Sequence, residues 1–190
     1  MFRLGRSRRA SGERGAALVE TAILIPVVLV ITFGLIEFSS AYQSSSVASA
    51  SARTAARTAS AEALLPTYAT DAAAAAATAL KTVPKDEPVE MWIYRANAAG
   101  YPESGGFSSC TTHCIKYAWV PATRSFNIAS PTGGGWAYTT QNACNTTNWD
   151  SVGVYIKLNH KFLTKLFGAN IHLADHAVFR LEPAPTQLCP

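Results

Sequence analysis

Hydrophobic positions in this chain are continuous over Ala16–Ile36, small and alanine-dominated over residues 39–88, and alternate with polar ones beyond Pro88. The first stretch is 21 residues, about 32 Å as a helix at about 1.5 Å per residue, against a hydrocarbon core of roughly 30 Å. It predicts a membrane-spanning helix. Pro26 lacks an N–H and frees the carbonyl of Ala22, so a mild kink is expected there, which a membrane helix tolerates. From Ser39 to Glu62 there is no Pro or Gly, and alanine favours helix, so the helix is expected to continue outward as a stalk. With few large apolar residues, that stalk has little to bury. Its small side chains suit close packing against neighbouring subunits; a frayed linker is the alternative. Leu64-Leu65-Pro66 breaks the helix, and Thr70 is placed to cap a second one from Asp71 to about Val83, ended by Pro84.

Past Pro88 the period is two. Val89, Met91 and Ile93 alternate with Glu90, Trp92 and Tyr94, which reads as a strand. Ile115–Val120 and Arg124–Ile128 predict a hairpin around Pro121-Ala122-Thr123. Val152, Val154, Ile156 and Leu158 mark a half-buried strand, and Ile171, Leu173, Ala177, Phe179 and Leu181 share one face of a last strand. Phe162, Leu163, Leu166 and Phe167 have helical spacing, with Gly168 as the stop. The segments 97–109 and 129–149 read as long loops. The expected fold class is α+β: a long N-terminal transmembrane helix with a helical stalk, then a small extracytoplasmic head with an antiparallel sheet. The expected divisions are a basic leader (1–15), the membrane helix (16–38), the stalk (39–88) and the head (89–190).

Charge sharpens this picture. The formal charge of +4 resides entirely in residues 1–15, which hold five arginines against Glu13. From Ala16 onward, basic and acidic side chains balance at eleven each. A nucleic-acid-binding surface spreads its cations over a folded face, so that class is disfavoured. A basic tail ahead of a membrane helix belongs in the cytoplasm by the positive-inside rule, which puts the rest outside. Glu37 falls at the outer edge of the span, where water is near. Glu20 lies five residues inside the apolar run, where an ionised carboxylate costs roughly 3 kcal/mol or more. That cost suggests a task a neutral residue cannot perform.

Candidate chemistry is sparse. Cys110, Cys114, Cys144 and Cys189 all follow the membrane segment, and their even number in an exported head reads as two disulfides. Cys110-Thr111-Thr112-His113-Cys114 also has the look of half a zinc site, but Cys144 and Cys189 are widely spaced. Longer closures remove more unfolded-state entropy, so one of Cys110 and Cys114 is expected to pair with Cys144. The other would pair with Cys189, tying down the tail. His172 and His176 share a strand face, roughly 13 Å apart at about 3.3 Å per residue, too far to share a metal. His113 and His160 lie alone. Asp150 and Asp175 lack any nucleophile elbow to complete a hydrolase triad. No enzyme, cofactor or metal is expected. Asn145-Thr146-Thr147 is a glycosylation sequon by letter.

The junction of Gly15 and Ala16, with Glu20 at the fifth position after the glycine, resembles the cleavage and methylation site of type IV prepilins. The wider run, through Pro26 to Gly34-Leu35-Ile36-Glu37-Phe38, resembles the TadE-like pseudopilins of the Flp/Tad pilus system. Ala52-Arg53-Thr54-Ala55-Ala56-Arg57 and Val178-Phe179-Arg180-Leu181-Glu182-Pro183 are similar to further segments of that family, while residues 97–150 match no known pattern. An aromatic commonly follows the glutamate in such prepilins; here Thr21 stands instead. The resemblance implies a minor pilin or pseudopilin, cut after Gly15 by a prepilin peptidase. It would assemble with the major pilin, other Tad pseudopilins and an inner-membrane assembly platform, in a lipid bilayer. Two other readings of the N-terminus are a secretory signal peptide cut near Ser39-Ser40-Ala41 or Ala48-Ser49-Ala50, and an uncleaved signal anchor. A charge inside the apolar region and its length both fit a signal peptide poorly. The Ser7-Arg8-Arg9 hint of twin-arginine export lacks the residues that should follow. The alternative function is an uncleaved, membrane-anchored extracytoplasmic binding or adhesion module. Exposed Trp136 and Trp149 would favour it.

Overall fold

The computed structural model describes residues 12–85, 87–103, 105–130, 135–144 and 147–189. Residues 1–11 of the basic leader, with the twin-arginine hint, and the start of the sequon lie outside the described residues. Helix α1 runs Gly12–Ala61 with Pro26 inside it. The chain divides into two compact units between Ser40 and Ala41. In the first, the apolar side chains of α1 from Leu18 to Phe38 are largely exposed, and the helix is long and apolar enough to cross a membrane. The two hydroxyls between Leu18 and Phe38 are satisfied locally. Thr21 Oγ1 donates to the Ala17 carbonyl at 2.7 Å and Thr32 Oγ1 to that of Val28 at 2.8 Å, so neither would meet hydrocarbon unpaired.

The second unit is α+β. After α1 come α2 (Tyr68–Ala79), a 3-10 turn (Leu80–Thr82), and strands β1 (Pro88–Arg95), β2 (Cys114–Val120), β3 (Ser125–Ser130), β4 (Ser151–Lys161) and β5 (Asn170–Arg180). The sheet order is β3-β2-β1-β4-β5, antiparallel throughout. Strand alternation puts Met91, Ile93, Tyr117, Trp119, Val152, Val154, Ile156 and Leu158 on the inner face, all buried. The second helix starts three residues before its expected Asp71, because Tyr68 is a core residue and its hydroxyl donates to the Trp136 carbonyl.

Residues 41–88 are not a separate stalk. Ala48, Ala52, Ala55, Ala56 and Ala59 of α1 and Ala72, Ala73, Ala76 and Ala77 of α2 are buried in one core with the inner face of the sheet. Small side chains bury little area each, yet they let helix backbones approach closely. Ser51 Oγ accordingly reaches the Ala76 carbonyl at 3.0 Å. The helix expected at 162–167 is also absent. The β4–β5 connection is a tight turn, with left-handed backbone at Lys165 (φ 58°) and Gly168 (φ 114°) and a Phe162 N–H bond to the Ala169 carbonyl at 3.1 Å. Helical spacing lost there to strand pairing on both sides.

The β2–β3 hairpin forms as expected, and its turn has a second job. Arg124, itself at φ 51°, donates from Nη2 to the carbonyls of Leu80, Lys81 and Val83 at 3.4, 2.9 and 2.9 Å. A guanidinium thus satisfies the orphan carbonyls where the helical segment ends. Arg124→Ala is expected to cost about 1.5–3 kcal/mol, read as a lower urea midpoint with an unchanged slope.

Candidate functional site

Gly15 sits within α1, and a Cβ built on it meets nothing within 4 Å. Glycine in a helix costs roughly 1 kcal/mol relative to alanine, and no packing here asks for one. Ala16 and Glu20 are four residues apart on α1 and therefore share a helix face. Glu20 is exposed, and no ion pair to it occurs among the described residues.

All four cysteines are oxidised, but their pairing differs from expectation. Cys110 bonds Cys114 and Cys144 bonds Cys189, with Cα separations of 5.3 and 5.6 Å. The tail is tied down by Cys189 as anticipated, to Cys144. The short loop closes because His113 takes a left-handed conformation (φ 43°), turning Cys114 back toward Cys110. Loop-closure entropy concerns the unfolded chain; folded geometry chose the partners. Cys114 stands opposite Tyr94 on the outer face of the sheet. The bridge fastens the end of the 97–113 segment, whose Phe107 stacks on Tyr155 at 4.4 Å and meets Trp92 edge-on at 6.4 Å.

The isolated histidines acquire partners that spacing could not reveal. His113 Nδ1 lies 2.7 Å from Glu103, and Arg95 bridges Glu103 at 3.3 Å and buried Asp150 at 2.7 Å. His172 and His176 are exposed on the outer face of β5, as expected, alongside Arg180. His176 stacks with Tyr101, and its own backbone N–H donates to Asp175 Oδ1 at 2.8 Å.

One cluster was invisible in the sequence. Ser44 of α1, Glu87 before β1 and His160 of β4 are all buried. Ser44 Oγ donates to Glu87 Oε2 at 2.9 Å; His160 Nδ1 lies 2.9 Å from Glu87 Oε1 and 3.2 Å from Ser44 Oγ. These are the residue types of a hydrolase triad in the wrong arrangement. Serine and carboxylate share one ring nitrogen, so the imidazole cannot relay a proton across its ring between them, and burial denies a substrate access. The cluster instead bolts α1 to the sheet.

Burial also sets the ionisation of the core phenols. It pushes Tyr68 and Tyr94 well above the usual range and Tyr117 up to about 12, so they act as neutral donors. Tyr94 gives its hydrogen bond to the Gly100 carbonyl at 2.9 Å. Burial, then the negative charge of Asp71 and a hydrogen bond with it, raise the Glu62 carboxyl. Trp136 is only 1% exposed and belongs to the core, and Arg180 lies over the half-buried Trp149 ring at 4.5 Å.

The family model described as TadE-like protein matches residues 15–57. The N-terminal segment of this chain is similar to TadE-like proteins. The matched segment begins at Gly15, contains Glu20 and Pro26, and ends at Arg57 within the buried part of α1. It points to a protein associated with a Tad pilus system, and the single apolar helix within it is consistent with single-pass membrane anchoring. Comparisons with curated proteins and with solved structures returned no match. The TadE-like match stops short of every strand.

Proposed function

We propose that this chain is a minor pilin or pseudopilin of a Tad-type pilus or secretion apparatus. The TadE-like match over residues 15–57 carries this reading. Gly15 supports it further, being a glycine that no packing requires at the position where the peptidase would cut. In this reading the leader is cytoplasmic, a prepilin peptidase cuts between Gly15 and Ala16, and the mature helix stays in the bacterial cytoplasmic membrane. The head stands on the extracytoplasmic side, where two disulfides suit an oxidising compartment. The partners are the major pilin, other Tad pseudopilins and the inner-membrane assembly platform. The adhesion alternative loses one of its anchors, since Trp136 is core.

Processing is the direct test. Intact-mass and N-terminal sequencing of protein extracted from membranes should give a chain beginning at Ala16, methylated on its amine, with the apolar helix retained. Chains beginning at Met1 or at Tyr42 would refute peptidase processing.

A further inference from the structure

A polar cleft of about 380 Å³ lies in the second unit, where the end of β1 meets the approach to β4. Arg95 closes β1 on one side, Glu103 stands on the segment that follows it, and Asn148, Trp149 and Asp150 lead into β4. Small-molecule clefts run from about 300 to 1,000 Å³, so this one suits a small ligand. Its walls are preformed. Asn97 Oδ1 accepts the Ala99 and Tyr101 N–H groups at 2.9 and 3.1 Å, which fixes the turn after β1. Asp150 Oδ2 accepts the Asn142 N–H at 2.8 Å, and its other oxygen is the one paired with Arg95. The Cys110–Cys114 bridge fastens the far end of the 97–113 segment.

These bonds orient the polar groups without exhausting them. A guanidinium has five N–H donors, and each carboxylate oxygen accepts more than one bond. The Arg95 and Glu103 side chains remain 38% and 31% exposed despite their ion pair. Asn148 is exposed and brings an amide that both donates and accepts. The Trp149 indole N–H is buried with no acceptor among the described residues, although buried donors in folded proteins ordinarily have one. The surroundings also select a ligand class. Arg95 and Arg180, the latter over the Trp149 ring, balance Glu103 and Asp150 in formal charge, so net charge draws in neither an anion nor a cation. Donors and acceptors stand together, and Trp149, Ala96 and Ala98 supply the apolar part of the lining. A sugar ring answers both, with hydroxyls that donate and accept and C–H groups that pack on an indole. We propose that this cleft binds a neutral mono- or disaccharide, hydrogen-bonded by Arg95, Glu103 and Asn148 and packed against Trp149. The site gives the head a recognition role beyond pilus assembly and does not depend on cleavage of the leader.

The test uses the full chain in a sugar-free zwitterionic detergent, with saturation-transfer NMR to detect binding and calorimetry to measure it. The probes are diacetylchitobiose, an N-acetylated sugar of the cell-wall type, mannobiose, a sugar of the surface-glycan type, and glucuronic acid as the charged comparison. Expected is binding of at least one neutral disaccharide in preference to glucuronic acid, and the one that binds identifies the source. Asn148→Ala should weaken that binding about fivefold, with an unchanged thermal midpoint because the side chain is exposed. Trp149→Ala should weaken it about tenfold or more through lost apolar contact. If that variant unfolds the head, Asn148→Ala decides alone. Binding of neither neutral disaccharide to the folded chain overturns the inference. So does affinity unchanged by these substitutions, since the sugar would then sit elsewhere, and so does tighter binding of glucuronic acid than of either neutral sugar. Each of these failures leaves the pilus-subunit reading intact, because the leader and Glu20 are tested separately.

Discussion

Glu20→Ala should enter the membrane normally and fail to assemble. The substitution removes a charge from an apolar helix, so insertion can only become easier. If the leader is cut after Gly15, as proposed, the new amine of Ala16 is a cation one helical turn from Glu20 on the same face. In an assembled bundle of such helices the carboxylate would pair with an amine, most economically that of a neighbouring subunit. Each charge then offsets the other's desolvation. Breaking such a pair on one side leaves an uncompensated buried charge and costs about 3–5 kcal/mol, which is about 100-fold or more in subunit association. Glu20→Gln keeps the size and loses the charge, so it should fail as Ala does, whereas a purely steric role would spare it. The readouts are membrane fractionation, co-purification with the major pilin, and counts of surface pili. Normal pili and normal co-purification in Glu20→Ala cells would defeat the pairing argument.

How much of this was legible depended on the range over which the determining contact acts. The strand at Val89–Tyr94, the hairpin around Pro121 and the strands at 152–158 and 171–181 follow from alternation within a few residues, and the structure has them all. The continuous apolar run and its embedded Glu20 are equally local. The alanines of 48–59 and 72–77 read as a stalk in sequence because hydrophobic patterning weighs size, and alanine is small; in the structure most of them are core. Their burial depends on two helices and a sheet meeting, which no window spans. Ser44, Glu87 and His160 lie 43, 73 and 116 residues apart in their three pairings, and nothing around any one of them announces the others. The cysteines failed for a related reason. Entropy ranks loops by length, but His113 at positive φ made the shortest one geometrically available.

Gly153→Ala should cost the head about 3–5 kcal/mol, a large effect for one methyl group. Gly153 lies opposite Tyr94 in the β1–β4 ladder, on the outer face of the sheet. A Cβ there would overlap the Tyr94 ring and crowd its hydroxyl. The ring has nowhere to go. It is fully buried, its hydroxyl is committed to Gly100, and Phe107 lies against it edge-on at 5.9 Å. Displacing it would leave the Gly100 carbonyl unpaired, disturb the Trp92–Phe107–Tyr155 cluster and loosen the cover fastened by Cys110–Cys114. Thermal unfolding of the full chain in detergent should show a much lower midpoint and loss of near-ultraviolet dichroism, with the membrane helix retained. The cause can be isolated with a double-mutant cycle. If the clash is with Tyr94, Gly153→Ala will cost far less in a Tyr94→Ala background than in the wild-type chain. An equal cost in both backgrounds would show that the glycine serves the strand's backbone and not the ring beside it.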